Sequence, residues 1–492
     1  MNSTMRKALH IMLTSLALAF IFNYLFFQKT LGISFAIFVF TLFVAVVLLG
    51  MQQRALLKKS WWLFALILFF ALMPGIRANE FLTFLNVCAT FALLILLAHG
   101  LAGTPAFVMK LRDYLVLMIF VPFRMLGRVL FTVSQMNQIH SNSKHRDMWL
   151  RVVKGVIMAV PILIIFGALF SQADLAFSQF INRFVDITIS ERSVQYLVLL
   201  FMAFIAALCF LSYIFFPKQY QSGLSREQSH TAAAVQSGKG IEVLVFLGLI
   251  SVLFLVFIGF QITYLFGGEA NIVNAGFTYA EYARRGFWEL LVVALLSLVV
   301  LLVSEKYAGA ESIGSEQKRH TQFLIPALVL IIEVVVIIVS AFKRLSLYID
   351  AYGMTTLRFY VAGFILLLFV LFVVLAVKFI QSKPEQFFAF GTLLSLAAFL
   401  ILVNIVNPDV FIARYNMKAY HRTGKIDVMY VGALSSDAES EKIELYKTIA
   451  DEDTEFLREL FQNQKARLEK QSAHWQSANF ARARALKLLQ EL

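Results

Sequence analysis

The sequence predicts an all-α protein: a polytopic transmembrane bundle of about eleven spans followed by a small helical C-terminal tail. Composition is the first reason. The 492 residues are 60% hydrophobic and 15% charged, against roughly half apolar and a quarter charged in a soluble domain. Apolar run length is the second: stretches of about 18 to 25 residues recur, enough to cross a hydrocarbon core of about 30 Å. Such stretches are helices, because a lipid-exposed segment must satisfy its own backbone hydrogen bonds. The third is an abrupt change to charged, amphipathic sequence near residue 408.

Spans are expected near 9–27, 31–50, 61–75, 80–102, 152–171, 194–216, 241–266, 287–304, 323–342, 357–379 and 387–406. The first follows Arg6 and Lys7. Ala17-Leu18-Ala19 imitates a cleavage site, but apolar residues continue to Phe27, so an uncleaved helix is expected. The third is short and opens with Trp61-Trp62, which suit the membrane interface. Residues 111–133 read as an interfacial or re-entrant helix, because the apolar stretch from Tyr114 to Phe123 is brief and is followed by Arg124 and Arg128. The organisation is therefore 1–102, N-terminal membrane helices; 103–151, a basic amphipathic loop on the headgroups; 152–406, the main bundle; and 407–492, a tail docked on the outer face. The stretch 217–240, rich in Ser, Gln, Gly and Ala, reads as a linker.

Loop charge sets the orientation. With the N-terminus in the cytoplasm and eleven alternating spans, roughly 21 basic residues fall on the inner side and roughly 9 on the outer. The C-terminus is then extracytoplasmic. The formal charge of +13 is accounted for by these loops, and no nucleic-acid partner is implied.

In the tail, Ser436 and Glu439 have capping-box spacing. Leu457, Leu460, Phe461, Gln464 and Leu468 mark one helix face; Trp475, Ala478, Ala481, Ala485, Leu488 and Leu492 mark another. These stripes make a thin core by themselves, which favours docking onto the membrane domain.

Catalytic signatures are missing. No Walker loop, dinucleotide-binding GxGxxG, HExxH or GxSxG occurs, and the eight histidines show no metal-ligand spacing. Neither a cofactor nor a metal is expected. Cys88 and Cys209 lie inside apolar runs, which does not suggest a disulfide. The first outer loop, Gln28-Lys29-Thr30, lacks the acids that a lipid-phosphate-dependent glycosyltransferase would carry there. Glu333 sits mid-span in Leu330-Ile331-Ile332-Glu333-Val334-Val335. An intramembrane carboxylate is either a proton or cation site, or a protonated group bonded to a neighbouring helix. Asn86, Gln261, Asn404 and Asn407 are its candidate partners, or plain helix glue.

Longer motifs lie in the second half. They are Tyr264-Leu265-Phe266-Gly267-Gly268 leading to Tyr279-Ala280-Glu281-Tyr282-Ala283-Arg284-Arg285-Gly286-Phe287; Tyr348-Ile349-Asp350-Ala351-Tyr352-Gly353-Met354-Thr355-Thr356-Leu357-Arg358; Asn407-Pro408-Asp409 with Ile412-Ala413-Arg414-Tyr415-Asn416; Gly424-Lys425-Ile426-Asp427; and Leu434-Ser435-Ser436-Asp437-Ala438. Over about 240–492 the chain resembles a bacterial multi-pass membrane family known only as a domain of unknown function. The resemblance implies a bacterial cytoplasmic-membrane protein and no activity.

In the expected topology these motifs share the outer face. Tyr279, Glu281, Tyr282, Arg284, Arg285, Asp350, Tyr352, Arg358, Asp409 and Arg414 are the candidate binding residues there. Arg with Tyr at a membrane surface suits a phosphate, carboxylate or sugar headgroup, or else locks loops to helix ends. Three functions stay open: a membrane sensor, scaffold or envelope-assembly factor that binds an envelope component or protein partner; a transporter or lipid-handling protein using Glu333; and a membrane-embedded transferase with Glu281 and Asp350 converging on one pocket.

Overall fold

The structure, a computed structural model, describes residues 3–52, 61–102, 106–136, 191–216, 239–265, 287–309, 316–449 and 451–492. Among them are 16 α-helices and no strand. The first six are α1 (Ser3–Phe26), α2 (Ile33–Gln52), α3 (Trp61–Ile76), α4 (Glu80–Leu101), α5 (Leu111–Met136) and α6 (Glu191–Phe215). Five more follow: α7 (Lys239–Leu265), α8 (Phe287–Gly309), α9 (Glu316–Tyr352), α10 (Thr356–Ile380) and α11 (Glu385–Val406). Nine of these are long and apolar enough to cross a membrane, and Trp62–Ile76 is a shorter apolar helix. The chain is a multi-pass membrane protein. The span expected at 152–171 and residues 217–238 and 266–286 lie outside the described residues; the last two residues of the linker expected at 217–240 are the first of α7.

Pairwise contacts sort the helix ends into two sets. Asn23 on α1 donates to the Tyr196 carbonyl on α6 (3.0 Å), while Lys7 sits 5.1 Å over the Phe216 ring. These helices are therefore antiparallel. His99, near the end of α4, meets Tyr213, near the end of α6, at 2.9 Å. Asn86 and Asn404 exchange hydrogen bonds of 2.9 and 2.8 Å, which runs α4 antiparallel to α11. One end of the bundle thus collects the start of α1, the ends of α4 and α6, and the start of α11. Lys378, 1% exposed, pairs with Glu305 and joins the ends of α10 and α8.

Helix α5 stays at that end. Lys110, just before it, lies 4.0 Å from Glu385 at the start of α11, and Thr132, about six turns later, donates to Ser212 in the last turn of α6 (2.8 Å). A crossing helix of 26 residues, about 39 Å long, would bring Thr132 to the opposite end. The helix buries Tyr114, Leu117, Val121, Met125 and Val129, the i, i+3/i+4 stripe of an amphipathic helix. Its Leu115, Ile119, Phe120, Phe123 and Leu126 face outward. The basic loop thus contains a helix built into the bundle against α1, α4, α6 and α11.

Packing groups α6 with α1–α5, through the α1–α6 pair, while α7–α10 share a second apolar core with the tail. That division differs from the expected one, which places 191–216 with the later helices. The turn from α9 to α10 differs as well. Residues 343–352, expected in a loop, are the last turns of α9, and only 353–355 connect the helices. The helix has 37 residues, about 55 Å against a core of about 30 Å. It continues because Leu345 and Ile349 keep burying the same face, in the core that the tail completes.

The tail consists of α12 (Pro408–Thr423), α13 (Val428–Gly432), a 3-10 turn (Ser436–Ala438), α14 (Glu439–Thr448), α15 (Asp451–Gln471), a second turn (Trp475–Ser477) and α16 (Phe480–Glu491). Asn407 joins α11 to α12 at φ +58°, a region Asn enters more readily than most residues, and Pro408 opens the new helix. Leu457, Phe461 and Leu468 are buried as expected of their stripe. The second stripe is instead Ala481, Ala485 and Leu489. Its helix begins only after the Asn479 cap, leaving Trp475 and Leu492 exposed. The capping box does not form: Ser436 accepts from Gln464 (3.1 Å), and Glu439 turns inward to pair with Lys442 (3.1 Å).

Candidate functional site

The site begins with a problem every membrane hairpin shares. A helix end leaves N–H and C=O groups without intrahelical partners. At the end of the bundle opposite the start of α1, tail residues supply those partners at three turns.

The α3–α4 turn shows it most fully. The Asp437 carboxylate accepts from the backbone N–H of Ala78 (2.6 Å) and of Asn79 (2.8 Å). Asn479 donates through Nδ2 to the carbonyls of Pro74 and Arg77, both at 2.8 Å. Asn79 caps α4 by accepting from Leu82 N–H (2.8 Å), and its Nδ2 donates to Asp409 (2.9 Å). Asp409 also accepts from Ser435 N–H (3.1 Å). Arg77 reaches across to the Asn404 carbonyl at the end of α11.

The α1–α2 turn is met by backbone: Ile33 N–H donates to the Ala478 carbonyl (2.9 Å). Gly32 lies so close that a Cβ there would come within 2.5 Å of the Ala478 oxygen. At the α9–α10 turn, Asn416 accepts from Met354 N–H (2.8 Å) and donates to its carbonyl (2.9 Å), while the Tyr430 hydroxyl accepts from Thr356 N–H (2.6 Å). Gly353 turns the chain at φ +79°, a conformation glycine adopts without a side-chain clash.

Between these anchors lies a half-open cavity of about 600 Å³, walled by the first turn of α4, the start of α10, residues 432–436 and one face of α15. Glu80, Asp409, Arg467 and Arg482 are its ionisable residues; Asn79, Ser435, Ser436, Asn463, Gln464 and Gln471 add polar groups. Arg467 faces Glu80 at 3.5 Å, with both side chains mostly in solvent. Arg482 donates to the Leu31 carbonyl at 3.4 Å. Burial, and then the neighbouring Arg467, push the Arg482 guanidinium below arginine's usual value, against the pull of Glu80 and Asp437. Burial raises the Asp437 carboxyl. Its N–H partners and Arg77 oppose the rise, and Asp409 adds to it.

Beneath the cavity, Lys442 is fully buried and bonds Glu439, the Leu434 carbonyl (3.1 Å) and Gln464 (3.1 Å). Burial raises the Glu439 carboxyl, with Lys442 opposing. This polar knot fixes α14 against α15 and so shapes the cavity wall.

The expected site residues fall in different places. Tyr279, Glu281, Tyr282, Arg284 and Arg285 lie outside the described residues. Asp409 lines the cavity. Asp350, Tyr352 and Arg358 instead lock the α9–α10 turn: Arg358 lies 4.1 Å over the Tyr348 ring and donates to the carbonyls of Tyr352 (3.0 Å) and Gly353, and Asp350 accepts from Tyr415 (2.7 Å). Burial and that bond push the Tyr415 hydroxyl up to about 12. Arg414 rivets α12 to α14 through Glu441 (2.9 Å). Glu333 is 3% exposed on α9, far in sequence from these groups.

Sequence reasoning missed Asn79, Glu80, Arg467, Asn479 and Arg482. Only Asn79, a cap-type residue before an apolar run, carried a local signal. Asp437 lies in the Leu434–Ala438 motif, where its residue type alone assigns it no role. Among the described residues, no three His, Cys, Asp or Glu side chains are placed to hold a metal ion.

A family model described as a domain of unknown function, DUF4153, matches residues 62–445. The match includes the membrane helices from α3 onward and the tail as far as Leu445. No curated protein and no solved structure matches the chain.

Proposed function

The chain belongs to the DUF4153 family, and we propose that it is a bacterial cytoplasmic-membrane scaffold or sensor that engages an envelope component through its tail. The observation that carries this reading is that tail side chains and backbone complete the hydrogen bonding of three helix turns at one end of the bundle. Tail and helix ends thus make a single pre-organised surface, which is what a binding platform requires.

The side follows from charge. The loops expected at the opposite end carry roughly 21 basic residues against roughly 9 on the other side, and the rule that basic loops stay inside favours a cytoplasmic side for that end. The tail is then extracytoplasmic. Membrane position and platform together favour an envelope-assembly or sensing role over catalysis, because the buried acids Asp409 and Asp437 are already engaged by the hydrogen bonds that hold the turn.

A second reading rests on Glu333. Glu333 is buried on α9 with Ser251 of α7 as the side chain facing its carboxylate. A transporter or lipid-handling protein would use such a group as a proton or cation site. The two readings separate in the native host. Asp437→Ala combined with Asn479→Ala should abolish complementation of a deletion strain while Glu333→Gln complements fully. The reverse pattern would favour transport. Alkaline phosphatase fused after Leu492 should be active; an inactive fusion beside a bright cytoplasmic fluorescent one would overturn the assigned side.

A further inference from the structure

We infer that the junction cavity binds a phosphoester anion between Arg467 and Arg482, an inference that rests on the tail end being the binding face. Two guanidiniums converge on one cavity of about 600 Å³, a volume in the range of small-ligand sites. Each is weakly engaged by the chain. The partner of Arg467 is a solvent-exposed Glu80 at 3.5 Å, the kind of surface pair that contributes little. Arg482, partly buried, has a carbonyl at 3.4 Å. Of the two acids lining the cavity, Glu80 is that exposed partner, and Asp409 is already held by Asn79 and Ser435.

Two guanidiniums that line one cavity, Arg482 partly buried there, suit an anion between them; burial first, and then Arg467, lowers the Arg482 value. Phosphate oxygens match the guanidinium fork. The first turn of α4, a helix of 22 residues, forms part of the wall, and its positive end adds to the attraction. Asn463 and Gln471 on α15 line the same cavity and offer hydrogen-bonding groups to the free hydroxyls of a phosphate ester.

A phospholipid headgroup and a soluble phosphoester share this chemistry, and the test separates them. The full chain in phosphatidylcholine nanodiscs is titrated with glycerol 3-phosphate, with glycerol as the neutral control. In parallel, its thermal stability is compared in phosphatidylglycerol and phosphatidylcholine nanodiscs. Saturable binding of glycerol 3-phosphate, weakened about tenfold or more by Arg482→Gln and by Arg467→Gln, assigns a soluble ligand. Stabilisation by phosphatidylglycerol alone, removed by the same substitutions and kept in Lys487→Gln, assigns a headgroup. Absence of both responses, or equal binding of glycerol, overturns the inference. Amide exchange at Ala78 and Asn79 is read in every sample. Intact protection with no binding leaves the platform standing and sinks the ligand. If Arg482→Gln releases the tail, the more exposed Arg467→Gln decides alone.

Discussion

Replacing Asp437 by alanine should loosen the tail from the bundle, by an amount the geometry allows to be worked out. The carboxylate takes two backbone N–H bonds, from Ala78 at 2.6 Å and Asn79 at 2.8 Å, with Ser435 Oγ at 3.2 Å beside them. Hydrogen bonds to a charged group contribute about 1.5–3 kcal/mol each, and a buried donor left without an acceptor costs about 1–3 kcal/mol. The site is only partly buried, so the low end applies, and the two bonds share one acceptor and are not additive. The expected loss is about 3 kcal/mol of docking free energy, roughly a hundredfold in the docking equilibrium. Asparagine keeps a carbonyl acceptor and is spared the desolvation that raises the Asp437 carboxyl, so it should stay within about tenfold of the wild type. Hydrogen exchange on the nanodisc-embedded protein reads this directly: protection at Ala78 and Asn79 should fall by those factors, while Leu457 and Phe461 inside the tail core keep theirs. Unchanged exchange at 78–79 would refute the view that Asp437 holds the turn. Equal loss in the tail core would show that the residue supports the tail's own fold instead.

Three other substitutions or conditions probe the same arrangement. Gly32→Ala should undock the α1–α2 turn from the second tail turn, because the nearest atoms are backbone of Ser477 and Ala478 rather than a side chain that could swing away; a cost of about 1–3 kcal/mol should appear as proteolysis at 472–479, and wild-type resistance would show that the close approach relaxes cheaply. Lys442→Met should destabilise the tail by about 3–5 kcal/mol, since it strands the buried Glu439, whereas adding Glu439→Gln should recover much of that loss; a thermal melt in which the double variant is worse than the single one would contradict the pairing. Acidification should tighten docking. Burial first raises the Asp437 and Glu439 carboxyls above their ordinary values of about 4. A group whose folded pKa is raised stabilises fully below its unfolded pKa, and that contribution fades as pH rises through the folded one. Protection at Ala78 measured from pH 7 down to 4, corrected for intrinsic exchange, should therefore hold or increase; release of the tail near pH 5 would reverse the sign.

The candidate residues illustrate why some roles are readable in advance and others are not. Asp350, Tyr352, Arg358 and Arg414 stand out as Tyr, Arg and acid in membrane-edge motifs, yet the structure uses them to lock a turn and to join two tail helices. The residue types carry the charge and the hydrogen-bonding capacity but not the partner. Asp409 does reach the cavity, beside Asn79, a residue more than three hundred positions earlier. Arg467 and Arg482 meet only because the turn at Trp475–Ser477 folds α16 back beside α15. Helix α5 is the converse case: its interrupted apolar stretch and its arginines already disfavour a crossing, and its contacts keep both ends at one end of the bundle.

Sequence alone determined the all-α class and most of the apolar helices among the described residues, because burying a backbone in lipid imposes length and apolarity on each segment separately. It also marked the tail as a distinct charged segment with a thin core. Only the tertiary structure decided that the tail's polar side chains complete the helix turns of the bundle, and that two arginines share a cavity with Asp409. Those are matters of pairing between groups distant in the chain, and hydrogen-bond partners are selected by position in space, which no local pattern of residues records.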